Sequence, residues 1–295
     1  MIKNYFAGLM LLMCYSISFA QMKGNQNYRD RDRQTTYRAM KNDYDANDST
    51  LSISVKILLN KKADKYLLTL GVMQKEKTPK ECVSNINRRI DKTIAIIQAL
   101  DIKKEDIFID FISQTKTYDY VLTDKKAEEV SNGFLLKKNI VIALNKYEQI
   151  EQIILAAAEN QIYDVVNLDY INSDIESIYD NLLNEATQVL NKKKNTYFAK
   201  FGGKQVGDGR AEKSFFAIFP NEEYDEYSAY ETNTVEDNEY ARLVKKTALK
   251  EKGFYYKKLN YSGFDKIINY DNPEVGIEYV LDLKLTYILE KTKHN

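Results

Sequence analysis

The chain has 295 residues, 44% hydrophobic and 29% charged, with 43 basic and 43 acidic side chains. That length allows one large or two small domains with real cores, and the charge balance gives no electrostatic footprint for nucleic acid. Aromatic content is skewed, with 23 Tyr and no Trp, and tyrosine brings both packing area and a hydroxyl that needs a partner.

The N-terminus, MIKNYFAGLMLLMCYSISFA, holds one Lys, a mostly apolar run from Tyr5 to Phe19, and small residues at Ser18 and Ala20. This pattern predicts a secretory signal peptide over residues 1–20, cut after Ala20. The run is shorter than the roughly 20 apolar residues that a spanning helix needs. No other stretch approaches that length, so the mature chain is expected to be exported and not an integral membrane protein. Cys14 raises a lipid-anchored alternative, but Met13 precedes it where a small residue is expected. Cleavage removes Cys14 and leaves Cys82 alone, so no intrachain disulfide is expected.

Residues 21–48 contain no Val, Ile, Leu or Phe and mix charges densely. Such a segment buries too little apolar surface to offset chain entropy and reads as a disordered polar arm. From residue 49 onward the pattern predicts a single α+β domain. LSISVKILL places Leu51, Ile53, Val55, Ile57 and Leu59 on one face, and KYLLTLGVM follows after NKKAD. The pair reads as a strand hairpin.

KTPKECVSNINRRI then opens a helix. Thr78 caps, Pro79 suits the first turn, and Glu81 completes a capping box. Val83, Ile86, Ile90, Ile94 and Ile97 form its apolar stripe. Asn145 with Glu148 and Ser173 with Glu176 repeat the device ahead of two further helices, the second stopping at Gly202. Strand patterns lie in DIFIDFISQTKTYDYVL, GFLLKKNIVIAL, QIYDVVNLDYI, KSFFAIF and GIEYVLDLKLTYIL. The last alternates apolar Ile277, Tyr279, Leu281, Leu283, Leu285, Tyr287 and Leu289 with a mostly polar face. That alternation argues an antiparallel sheet covered on one side by helices. Residues 220–274 interrupt the rhythm as an excursion: 221–239 carries eight acids and no base, and 242–258 seven bases and one acid. A short helix is expected near 237–251.

Few residues offer chemistry. Cys82 sits in a helix's first turn, where a thiol pKa can fall. Nucleophilic catalysis wants a nearby base, however, and the only histidine, His294, lies in a polar tail. Glu81 beside it disfavours a thiolate, so Cys82 reads as packing. One His and one mature Cys leave no zinc site built from those ligands. Asp43, Asp45 and Asn47 begin like a calcium loop, but Asp48 and Ser54 replace the required Gly and Glu. FGGKQVGDGR gathers glycines with Lys204 and Arg210, but it follows a helix C-terminus, where the dipole repels anions, and reads as a helix stop and turn. The basic runs at 191–195 and 242–258 read as solvated faces. Tyr224, Tyr227 and Tyr230, in the acidic stretch, are the candidate partner-binding residues, since tyrosine is enriched at interfaces. An ordinary surface loop explains them equally well.

Three stretches carry a family resemblance: TLGVMQKEKTPKECVSNINRRIDKTIAIIQALDIKKEDIFIDFISQTKTYDY, GFLLKKNIVIALNKYEQIEQIILAAAENQIYDVVNLDY and NEATQVLNKKKNTYFAKFG. With Leu100, Ile102, Asp106 and Ile107 at a helix-to-strand junction, Tyr118 and Tyr120 in the next strand and Gly133–Phe134 opening another, the chain resembles the SIMPL-domain family of exported bacterial proteins. Coverage is roughly 51–206 plus 275–290. Asp101 stands where a glycine is common. The resemblance implies two βαβ-like halves around an antiparallel sheet, a periplasmic or cell-envelope location, and for some members ring-like or channel-like oligomers. It assigns no enzymatic activity, cofactor, metal or site residue.

The expected function is thus a non-enzymatic envelope protein acting through homo-oligomeric assembly or partner binding, in stress tolerance or envelope maintenance. A peptide- or glycan-binding module using the excursion is the alternative. A hydrolase with carboxylates scattered in sequence is a third reading.

Overall fold

The computed structural model describes residues 26–28, 43–123, 126–232, 247–249 and 253–290. The expected signal peptide, Cys14, His294 and most of the polar arm lie outside those residues. In chain order the elements are β1 (Gln26–Tyr28), β2 (Tyr44–Ala46), β3 (Thr50–Lys61), β4 (Lys65–Glu76), α1 (Pro79–Ala99), β5 (Ile107–Thr123), β6 (Lys126–Leu144), α2 (Gln149–Glu159), β7 (Asp164–Ile171), α3 (Ile175–Phe201), β8 (Gln205–Ile218), β9 (Tyr224–Thr232), β10 (Thr247–Leu249), β11 (Gly253–Tyr256), β12 (Lys266–Ile268) and β13 (Ile277–Leu289). The fold is α+β. Two pieces of the expected arm are therefore strands, β1 and β2. The described residues fall into two compact units, one within Ala39–Glu222 and Leu259–Asn295, the other within Met1–Arg38 and Glu223–Lys258.

In the larger unit, β4 through β7 form an antiparallel sheet in the order β5-β6-β4-β7. Strands β4 and β5 run parallel with β6 between them, and β6 and β7 run parallel with β4 between them. Thus β4-α1-β5 and β6-α2-β7 are two split βαβ halves, the ferredoxin-like arrangement. A second sheet has the order β12-β3-β13-β8, with β2 also on β3.

The expected hairpin of β3 with β4 is corrected here, and with it the single sheet. Each strand finds a longer partner elsewhere: β3 pairs with β13 from Thr50 to Lys61, and β4 with β6 from Tyr66 to Glu76. The link between them lacks the glycine of a tight hairpin turn. It is held instead by other elements, since Asn172 Nδ2 donates to Lys62 O and Asp64 N to Ile171 O.

α1 begins as its sequence dictates. Thr78 Oγ1 accepts from Glu81 N at 3.3 Å and Glu81 Oε2 accepts from Thr78 N at 3.1 Å, a cap worth about 1 kcal/mol over alanine. Its buried stripe is Cys82, Ile86, Ile90, Thr93 and Ile97, and Val83 faces solvent. The other two caps differ from expectation. α2 starts at Gln149 after a turn, where Gln149 N and Ile150 N donate to Lys146 O and Tyr147 O, so Asn145 caps nothing. α3 is capped by Asp174, which accepts from Ser177 N at 3.0 Å, because Ser173 is bonded to Asp64.

One buried cluster joins both sheets and all three helices of this unit. The alternation of β3 brings in Leu51, Ile53, Val55 and Ile57, and β4, β6 and β13 add Leu68, Leu70, Ile140, Ile142, Leu281 and Leu283. The polar face expected on β13 is buried at one end. Glu278 accepts from Leu259 N at 3.1 Å, and Asn60, its cross-strand neighbour, donates to Tyr261 Oη. Residues Leu259 onward thus lie against this end of the strand pair. The glycine stretch after α3 is also corrected. Gly202, with φ of 73°, ends the helix, but Gly207 and Gly209 lie within β8, where a side chain at Gly209 would meet Thr286 O at 2.9 Å.

In the smaller unit β9 is central. β1 pairs with it antiparallel, as do β10 and β11. Residues 247–249 are a strand, which corrects the end of the expected helix; 237–246 lie outside the described residues.

Candidate functional site: an exposed strand edge

The expected site residues do not share one surface. A spacing of three unites side chains on a helix, but β9 is a strand, whose faces alternate every residue. Tyr224 lies opposite Tyr256, with ring centroids 5.8 Å apart, and it is exposed with Phe254. Tyr227 faces the other way, opposite Gly253, where any Cβ would lie 2.6 Å from its ring. The ring occupies the space a side chain would take at that glycine. Tyr230 stands in β9 opposite Leu249. On the Tyr227 face the charge reversal along the chain becomes a cross-strand pair, Lys257 Nζ to Asp225 Oδ2 at 3.0 Å.

The remaining candidates are structural. Cys82 is fully buried, its Sγ donating to Phe134 O at 3.2 Å. In the run 191–195, Lys194 lies over the Tyr287 ring and Lys193 is a half-buried ion-pair hub. Neither follows the solvated reading, because α3 rests on β3 and β13.

Titratable groups with displaced pKa values sit in the joints between elements. Burial, and then the nearby charge of Asp64, pushes the Tyr279 hydroxyl up to about 12; it donates to Asn172 Oδ1 at 3.0 Å. Burial raises the Asp64 carboxyl, but bonds from Ser173 N and Oγ with the charges of Lys65 and Lys61 outweigh it and hold the group below its usual value. Burial lowers Arg89, which donates to Met73 O, Gln74 Oε1, Asn160 O and Gln161 O, tying α1 to β4 and to the end of α2. Among the described residues no three His, Cys, Asp or Glu side chains are grouped to hold a metal ion.

What stands open is the hairpin of β5 and β6. β4 stops pairing with β6 at Phe134, yet β5 and β6 stay paired to Thr123 and Lys126. The departure point is a bulge: Asn132 is the extra residue, and Gly133 takes a φ of 133° that only glycine adopts freely. Beyond it a two-stranded ribbon exposes Tyr118, Tyr120 (72%), Val121, Leu122 (82%) and Val130, and nearer the sheet Phe108 and Phe111 are exposed too.

β5 is also an edge strand of 17 residues. Its counterparts are protected in ways that edge strands commonly are. β8 carries Asp208, Arg210, Glu212 and Lys213, β7 is short and bulged near Val166, and β2 and β12 have three residues each. β5 has one bulge, at Ile112, and no proline. Its apolar residues fall on both faces, so alternation alone did not mark them as a surface.

Against this geometry, a family model described as SIMPL, protein of unknown function (DUF541), matches residues 59–237. The chain belongs to the SIMPL family. The SIMPL match runs from the end of β3 to just past β9 and so contains both split βαβ halves and the whole β5–β6 ribbon. β13, which completes the second sheet with β3, lies beyond it. Comparison with curated proteins returned no match.

Proposed function

We propose that this SIMPL protein is exported to the cell envelope and acts there by assembly or partner binding through the β5–β6 ribbon, without catalysing a reaction, in stress tolerance or envelope maintenance. The supporting observation is the contrast between edges: β5 presents a long edge rich in exposed apolar side chains with a single bulge, while the other edge strands of its unit among the described residues are shorter and either bulged, very short or densely charged. A ribbon of two strands is marginally stable alone, and pairing with another chain covers both its backbone groups and its exposed Tyr, Val and Leu side chains. Export is supported by the signal-like N-terminus, and the non-catalytic role by the use of Tyr279, Asp64 and Arg89 in joints of the fold. The test is the mass of the purified mature chain by light scattering across micromolar concentrations. A discrete oligomer is expected that loses mass when Tyr120 and Leu122 are both changed to Ser; a monomer throughout removes assembly from the proposal.

The exposed Tyr224 and Phe254 favour a second reading, capture of a peptide or glycan by the smaller unit. Tyr224→Ala with Phe254→Ala is then expected to abolish retention on immobilised envelope glycan or peptide, and unchanged retention ends that reading.

A further inference from the structure

We infer that the partner of the β5 edge is a second copy of the same strand, paired antiparallel about a two-fold axis at Tyr118. This rests on the assembly reading above and specifies its contact. Between the bulge at Ile112 and the turn, β5 offers the stretch from Ser113 to Thr123, in which the one irregularity, beside Tyr118, has its extra residue, Asn132, on β6. Two copies that use the whole stretch have one register, with the middle residue, Tyr118, opposite itself.

That register is chemically self-consistent. It sets Lys116 opposite Tyr120 of the second copy, and Lys116, Tyr118 and Tyr120 share one face by the two-residue period. Lys116 Nζ already lies 5.4 Å from the Tyr118 ring centroid within one chain, so the second copy adds aromatic faces to a cation placed among them. Asp119 comes opposite Thr117, a neutral polar residue. Thr115 comes opposite Val121, a favourable β-branched pair. No like charges oppose each other, and the stretch carries one Lys and one Asp, so a strongly charged foreign strand gains nothing from it. The product is a continuous sheet of eight strands, four from each chain, with the two ribbons joined at its centre.

The register is tested by disulfide trapping in the full mature chain, with Cys14 absent or changed to Ser; Cys82 is buried and does not compete. Directly opposed residues of an antiparallel pair have Cα atoms about 4.5–5.5 Å apart, within the range a disulfide spans. Tyr118→Cys is expected to give a covalent dimer on mild oxidation. Ser113→Cys is not, since ten residues of strand place its two copies roughly 34 Å apart. If losing Tyr118 weakens the contact, the double variant Thr117→Cys with Asp119→Cys keeps the ring and is expected to link. An oligomer by light scattering in which neither variant links, or in which Ser113→Cys links, overturns this pairing and leaves assembly standing. A monomeric protein overturns both.

Discussion

Lys193 and Asp265 form an ion pair of 2.7 Å, with 12% and 6% of their side chains exposed. The same ammonium reaches Asp43 Oδ1 and Ser54 O, each at 2.8 Å, while the other oxygen of Asp265 accepts from Lys56 N. One lysine of α3 thus fastens the approach to β2, the edge of β3 and the segment before β12. Removing one member of a largely covered pair leaves the other charge uncompensated, which costs more than the pair itself contributes. Lys193→Ala is expected to destabilise the fold by about 3 kcal/mol in urea unfolding, against a change within about 0.5 kcal/mol for the exposed Lys192→Ala. Equal effects at the two positions would mean that the hub is not formed in solution.

Gly133 admits no substitute. A Cβ there would lie 2.4 Å from Glu76 O, and the φ of 133° is unfavourable for any other residue. Gly133→Ala is expected to cost about 2 kcal/mol or more. It should also re-aim the ribbon, and under the proposed assembly oligomer mass then falls further than the loss of stability explains. An alanine variant as stable as the parent in thermal melts contradicts the bulge geometry.

Cys82 lies within the apolar stripe of α1 and is fully buried. In a Cys14→Ser background the native protein should leave a thiol reagent unreacted, with labelling appearing only as the chain unfolds in urea. Rapid labelling of the folded protein would restore the reactive reading of this residue.

The parts of the fold that were legible in the sequence are those governed by neighbours along the chain. The capping box of α1 is local chemistry, as is the alternation of β13, and both stand where the pattern put them except at the first residues of β13, where both faces are buried. Asp101 is a local case of another kind: it stands where the family commonly has glycine, and its φ is 65°, a conformation aspartate tolerates better than most residues. Pairing is not local. Nothing in LSISVKILL says that β3 prefers β13 to β4, because any apolar strand of matching length satisfies the same alternation. Ser173 shows the same limit at a single residue, since its capping role was taken by Asp174 once Asp64 arrived from the other side of the fold. The ribbon was hidden for a third reason. Apolar residues on both faces of β5 give no alternation to mark an outer surface, yet several of them are exposed to solvent.

Tyr279 supplies a pH signature. Its hydroxyl is buried, donates to Asn172 Oδ1 and ionises at about 12, above the ordinary 10.0. The folded state therefore holds this proton more tightly than the unfolded chain does. Its contribution is complete below the unfolded value and is lost as pH rises through the interval from about 10 to 12, where the unfolded chain binds fewer protons. Over that interval the stability of the parent should fall relative to Tyr279→Phe by on the order of 2 kcal/mol. At neutral pH the variant should be less stable by about 1 kcal/mol for the lost hydrogen bond. Urea unfolding of both proteins at a series of alkaline pH values measures the difference directly. Parallel pH profiles would mean that Tyr279 ionises as readily in the folded protein as in the unfolded chain, and that the joint between β13 and the start of α3 is open to water.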